Sequence, residues 1–147
     1  KPNLGICEFN GNKNNNIILD ITMKPNENDH WDNFFVFKDE NPKCKKSEKY
    51  KALAFTYENN FHQLECYFSA DAIHFRKGYI LDLEGKFDTL NTCRYDKKKK
   101  KYIAYIRDFH DVKDNNLNTG IRDIRYCESK DFKNLCIFFS SAKTNLD

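Results

Sequence analysis

Asp32 follows Trp31 and Asp88 follows Phe87, so two aromatic–aspartate pairs stand 56 residues apart in the chain. Two carboxyl groups flanking a glycosidic bond can cleave it, one protonated and donating to the leaving oxygen, the other ionised. Trp31 beside Asp32 offers a ring on which a sugar could pack. Arg107-Asp108-Phe109-His110 closes a strand-like run and enters a polar stretch, where functional residues concentrate. Arg122 and Asp123 form a second charged group. His30 and His110 are of the residue type that titrates near neutrality and serves acid–base work. No H-x-x-x-H spacing occurs, so neither a metal site nor a cofactor is expected. The same residues have plainer uses. Aspartate accepts hydrogen bonds in tight turns, and an Arg–Asp pair can simply hold a loop.

The elements that must position these groups belong to a chain of 147 residues, long enough for one domain. Thirteen phenylalanines, eight tyrosines and a tryptophan supply a core and argue against disorder. No apolar run reaches the ~18 residues of a membrane span, and the chain shows no basic-then-apolar leader. No membrane partner is therefore expected; the location is open, with the cytoplasm favoured by cysteines that read as reduced. Twenty-five basic against 22 acidic residues give a net charge of +3, too small to imply nucleic-acid binding. The run Lys97-Lys98-Lys99-Lys100-Lys101 reads as a solvated hairpin turn before a strand, with no interleaved aromatics for base stacking. The six cysteines, Cys7, Cys44, Cys66, Cys93, Cys127 and Cys136, form no C-x-x-C pair. Four of them lie in apolar stretches, where free cysteine packs as a small hydrophobe, so reduced thiols are expected.

Helical periodicity is weak. Short β-rich runs at residues 50–57, 62–69, 102–106, 121–127 and 136–139, separated by polar turns, predict an all-β protein. The runs belong to a repeat. An aromatic-Asp start, a Lys-Tyr-x-Ala strand and a Ser-x-Asp turn recur in the same order. They occur at Asp32, Tyr50 and Ser69, and again at Asp88, Tyr102 and Ser129. Units of about 31–86 and 87–139 follow. A period near ~50 residues with several strands per unit suits propeller blades. Asp71 and Asp131, inside the two Ser-x-Asp turns, are expected to shape those turns.

The motifs in their order resemble the glycoside-hydrolase-like five-bladed β-propellers, the superfamily of invertases, levansucrases and arabinanases. The resemblance rests on Leu4-Gly5-Ile6-Cys7-Glu8-Phe9, Asp32-Asn33-Phe34, Lys38-Asp39-Glu40-Asn41-Pro42 and Lys49-Tyr50-Lys51-Ala52-Leu53. It continues through Phe87-Asp88-Thr89-Leu90-Asn91, Tyr102-Ile103-Ala104-Tyr105-Ile106-Arg107-Asp108-Phe109-His110 and Gly120-Ile121-Arg122-Asp123-Ile124-Arg125. It implies that residues 1–147 are one partial propeller domain of roughly two to two and a half blades. The remaining blades would come from the same gene product or from a partner that completes the ring. It further implies a carbohydrate ligand in an axial acidic funnel, with Asp88 as transition-state stabiliser and Asp32 as base. Trp31, Asn33, Asn91, Arg107, Asp108, His110 and Arg122 would contact substrate. The general acid has no counterpart among these motifs. A non-catalytic carbohydrate-binding or interaction module is the alternative.

Overall fold

A computed structural model describes residues 3–18, 30–58, 61–83, 85–111, 113 and 119–135. Among the described residues, seven strands form two antiparallel sheets. The first sheet runs β1 (His30–Lys38), β2 (Tyr50–Glu58), β3 (Phe61–Ser69), β4 (Arg76–Ile80) in that order. The second runs β5 (Thr92–Asp96), β6 (Lys101–His110), β7 (Ile121–Ser129). Each strand pairs with its sequence neighbour, as chains joined by short hairpins do. One short 3-10 turn, Lys46–Glu48, lies between β1 and β2.

The protein is all-β, as its composition and spacing predict. Four of the five expected runs fall inside β2, β3, β6 and β7, and the fifth, 136–139, lies outside the described residues. Three strands carry weaker signals. The β1 ladder slips between Asp32 and Phe35, which breaks the period-2 pattern. The edge strand β4 reads Arg-Lys-Gly-Tyr-Ile and presents few apolar groups. The short β5 mixes Cys93 and Tyr95 with Arg94 and Asp96. The lysine run makes the β5–β6 turn, with Asp96 accepting the Lys98 and Lys99 N–H groups at 2.8 and 2.9 Å.

The core lies between the sheets. Leu53, Phe55, Leu64, Cys66 and Phe68 from the first meet Cys93, Tyr102, Ala104, Ile106 and Cys127 from the second. Phe132, just beyond β7, touches Phe37, Phe68, Tyr79 and Tyr102, with ring centroids 5.7, 6.1, 6.5 and 5.6 Å away. The described cysteines form no disulfide. Burial raises the Cys66 and Cys93 thiols well above the usual range and pushes Cys127 up to about 11, as expected of thiols that act as packing.

The way the sheets stack follows from their registers. Tyr50 pairs with Ser69 as Tyr102 pairs with Ser129, which places the two sheets in correspondence. On that correspondence Leu53, Leu64 and Cys66 match Tyr105, Ile124 and Tyr126. Leu53 and Leu64 are 0% exposed, whereas Tyr105 and Ile124 are 47% and 64% exposed. Conversely, the core-facing Ala104, Ile106 and Cys127 match Ala52, Ala54 and Tyr67, which face away from the shared core into a smaller cluster with Phe34 and Phe75. The front of the first sheet thus packs on the back of the second, and the front of the second carries the exposed apolar groups Tyr105 and Ile124.

The two Ser-x-Asp turns repeat in detail. Ser69 Oγ accepts the Asp71 N–H at 3.2 Å, and Ser129 Oγ accepts the Asp131 N–H at 3.2 Å. Asp71 Oδ1 then takes the Ile73 and His74 N–H groups, and Asp131 Oδ1 takes that of Asn134. These are Asx and Ser turns in which the side chain replaces a missing ladder partner.

Candidate functional site

Asp32, Asp88 and the C-terminal end of β6 lie at one end of the strands. Registers fix this end: Asp32 opposes Phe55 near the finish of β2, and His110 opposes Ile121 at the start of β7. Asp32 is exposed and its Oδ1 accepts the N–H of Asn33 at 2.7 Å. Asn33 has φ +56°, a left-handed conformation that asparagine adopts more readily than most residues. The ladder slips at this point, so Asp32 sits on a bulge rather than in regular strand. Trp31 pairs through its backbone with Thr56, and its side chain lies outside the described residues.

Asp88 is held differently. It precedes β5 in a loop whose anchor is Phe87. That ring is 0% exposed in the inter-sheet core, yet its backbone has φ +50°. A bulky residue in this region is strained, by roughly 1–3 kcal/mol, and such strain gathers at functional sites. Asn91 pins the same loop from inside. It is 1% exposed, donates to the carbonyls of Phe87 and Thr89 at 2.9 and 2.7 Å, and accepts the Arg107 N–H at 3.0 Å. The side chain that resemblance assigns to substrate is thus spent entirely on backbone groups. Asn91→Ala strips the Asn91 bond from the Thr89 carbonyl and the Arg107 N–H, each worth about 1–3 kcal/mol, while the Phe87 carbonyl keeps the Thr89 N–H at 2.8 Å. We expect a stability loss of at least about 2 kcal/mol by urea titration, with faster amide exchange at Arg107. Unchanged exchange there would show that the loop does not hang on Asn91.

The fixed loop sets Asp88 Oδ1 3.4 Å from Arg107 Nε, an ion pair lacking hydrogen-bond alignment. The Arg107 guanidinium lies 5.0 Å from the Phe109 ring centroid, a cation–π contact that fixes its plane. Asp88 is the more open partner, its side chain 32% exposed against 16% for Arg107. Asp108 faces Asp123 across the ladder, an unfavourable like-charge pairing. Arg125 offsets it by gripping Asp108 with two bonds of 2.8 and 2.7 Å. Asp123 instead meets His110 Nδ1 at 3.2 Å, with both side chains half exposed. Arg122 is exposed; it opposes Phe109 in the ladder, and its side chain makes no ion pair with another described residue.

The structure therefore joins Asp88, Arg107 and Asn91 in one unit and Asp108, Arg125, Asp123 and His110 in a neighbouring one. No hydrogen bond or ion pair links Asp32 to either among the described residues. Two features escape sequence reading. Phe87 as a strained anchor gives no local signal, because its φ depends on the core it enters. Arg125 as the clamp on Asp108 comes from the opposite strand, 17 residues away. Among the described residues, no group of three or more His, Cys, Asp or Glu side chains is placed to hold a metal ion. No family profile, curated protein or solved structure matches this chain.

Proposed function

We propose that this chain contributes two blades to a glycoside-hydrolase-like five-bladed propeller, and that the end carrying Asp88 and Asp32 engages a carbohydrate. The observation that carries the reading is Asp88 itself: a partly open carboxylate on a strained, internally pinned loop, aimed by a fixed arginine. In glycoside cleavage the transition state develops positive charge on the sugar ring. Asp88 would face that charge, and Arg107, itself held by Phe109, would keep the carboxylate in one orientation. Preorganised charge of this kind acts without reorganisation during reaction. Asp32, exposed on its bulge, would act as the base.

The stacking of the sheets supports the ring. A front-to-back contact is heterologous, and repeated contacts of that type close into a ring when the rotation allows. A face-to-face sandwich would instead have consumed both core faces at once. Here Tyr105 and Ile124 remain exposed where a further blade would seat.

A second reading has its own support. Hydrolysis needs a proton donor besides a stabiliser and base, and the motifs supply only Asp88 and Asp32. A carbohydrate-binding propeller without turnover needs no third carboxyl group. The test is Asp88→Asn in the full-length gene product, assayed against a panel of aryl glycosides and oligosaccharides. Loss of turnover with retained fold supports catalysis, and unchanged kinetics overturn the role of Asp88. Saturable sugar binding with no product over days favours the binding module.

A further inference from the structure

At the opposite end of the strands the loop after β1 and the β5–β6 turn enclose a cleft of about 830 Å³. Six lysines line it, Lys43, Lys97, Lys99, Lys100, Lys101 and Lys130, against a single acid, Glu40. They come from three separate stretches of chain, so the lysine run is only part of the cluster. The lining carries a net +5 while the whole chain carries +3, which leaves the rest of the molecule at −2. Positive charge is therefore gathered at this end rather than spread.

Half of the six lysines are already engaged. Lys97 bridges to Glu40 at 2.8 Å and ties the two walls together. Lys99 and Lys101 share the Glu128 carboxylate at 2.7 and 2.8 Å. Lys43, Lys100 and Lys130 are exposed and meet no acid among the described residues. A second cleft of about 540 Å³ adjoins the first through Asn41, Lys43 and Lys130 and continues past Asp131 to Lys133, and to Arg76 and Lys77, which are already paired with Glu48 and Glu65. Two unneutralised ammonium groups, Lys43 and Lys130, at the junction of the clefts, with Lys100 in the first cleft, form a track for an extended anion.

We propose that this track binds a sulfated polysaccharide. Ammonium groups act as point charges and suit esters of sulfate without the bidentate geometry of arginine. Pro42 and Tyr95 add an apolar ledge to the first cleft, against which the C–H face of a sugar ring can lie. The ledge does not suit nucleic acid. Binding of single strands uses successive open aromatic platforms, whereas a single aromatic ring among the described residues, that of Tyr95, lines this cleft. The track lies at the end remote from Asp88, so its existence does not depend on the glycosidase reading.

The test is calorimetric titration of the full chain with a heparin-derived octasaccharide at fixed, near-physiological salt. The triple variant K43Q/K100Q/K130Q is expected to weaken binding at least tenfold. K13Q/K38Q/K46Q, which removes the same charge outside both clefts, is expected to weaken it less than threefold. Thermal midpoints of the variants report that the fold is kept. Equal losses in the two triples would reduce the effect to net charge and overturn the proposal. So would failure of the parent chain to bind, or binding of oligothymidylate as tight as that of the octasaccharide.

Discussion

Lys51→Met is expected to lower stability by about 3–5 kcal/mol, the usual result of stripping the partner from a buried charge. The Lys51 side chain is 5% exposed and that of Asp39 is 0% exposed, with Nζ 2.7 Å from Oδ2. The pair is the hub of a network between the sheets. Tyr102 of β6 donates to Asp39 Oδ2 at 2.7 Å, and Asn41 Nδ2 donates to the Tyr102 hydroxyl at 3.1 Å. The backbone N–H of Asn41 reaches Oδ1 at 2.9 Å, and Lys51 also donates to the Glu48 carbonyl at 3.1 Å. The ammonium further lies 5.5 and 5.7 Å from the Phe68 and Phe132 ring centroids. Methionine would fill that space and leave Asp39 with two neutral hydroxyl and amide donors but no counter-charge. Adding Asp39→Asn should recover part of the loss, because the amide oxygen still accepts from Tyr102 while the orphaned charge is gone. Urea midpoints with unchanged m-values read both variants. A Lys51→Met protein within about 1 kcal/mol of the parent would show that the charge pair is dispensable, as some buried pairs are.

The same network predicts a pH dependence. Burial pushes the Asp39 carboxyl up, but Lys51, the Asn41 N–H and the Tyr102 hydroxyl together outweigh it and hold the group below its ordinary 3.8. A folded-state value below the unfolded one gives stability that is present above the unfolded value. That stability is lost as pH falls through the folded value. The parent should therefore lose stability progressively below about pH 4, and the Asp39→Asn variant should lack that part of the acid slope. Parallel acid limbs in the two proteins would assign the slope to other carboxylates.

Phe132→Ala is the second large effect expected, about 3–5 kcal/mol. Phe132 is 4% exposed and follows the second Ser-x-Asp turn, yet its ring contacts reach Phe37, Phe68 and Tyr79 of the first sheet as well as Tyr102 of the second. Truncation opens a cavity at the seam, where rigid strands on both sides collapse poorly. For a chain of this size the loss corresponds to a fall in Tm of roughly 6–20 °C. The position also tests the stack itself. If the sheets fold as one cooperative unit, a single transition should persist at a lower midpoint. Two separated transitions would mean that Phe132 joins units able to fold apart.

Much of the β architecture is legible in the chain because its signals are local. The β-rich run at 50–57 and the loosely alternating run at 62–69 mark strands, and they became β2 and β3, which bury one face in the inter-sheet core and the other in the smaller cluster. Ser69 and Asp71 shape a turn through their own backbone neighbours, and Ser129 and Asp131 do the same. The edge strand β4 and the bulged β1 are hard to see for the converse reason: an edge needs few apolar groups, and a bulge breaks the period.

The candidate site divides along the same line. Asp88 and Arg107 stand out by residue type and by their place near strand ends. That Asn91 points inward and spends its side chain on Phe87, Thr89 and Arg107 is not legible, since an asparagine after a turn serves solvent, substrate or backbone equally well. The lysine run is legible as a turn, while its convergence with Lys43 and Lys130 is not.

The sequence by itself determined that this protein is β-rich, that its turns repeat, and that acidic and basic groups cluster near strand ends, because period, turn chemistry and charge act over a few residues. Tertiary structure alone decided which face of each sheet meets the other, and so left Tyr105 and Ile124 open while Leu53 and Leu64 are closed off. It also decided that Asp39 and Lys51 meet Tyr102, and that Phe87 is strained beneath Asp88. Those outcomes depend on contacts between residues tens of positions apart, where packing of whole sheets, not local preference, sets the energy.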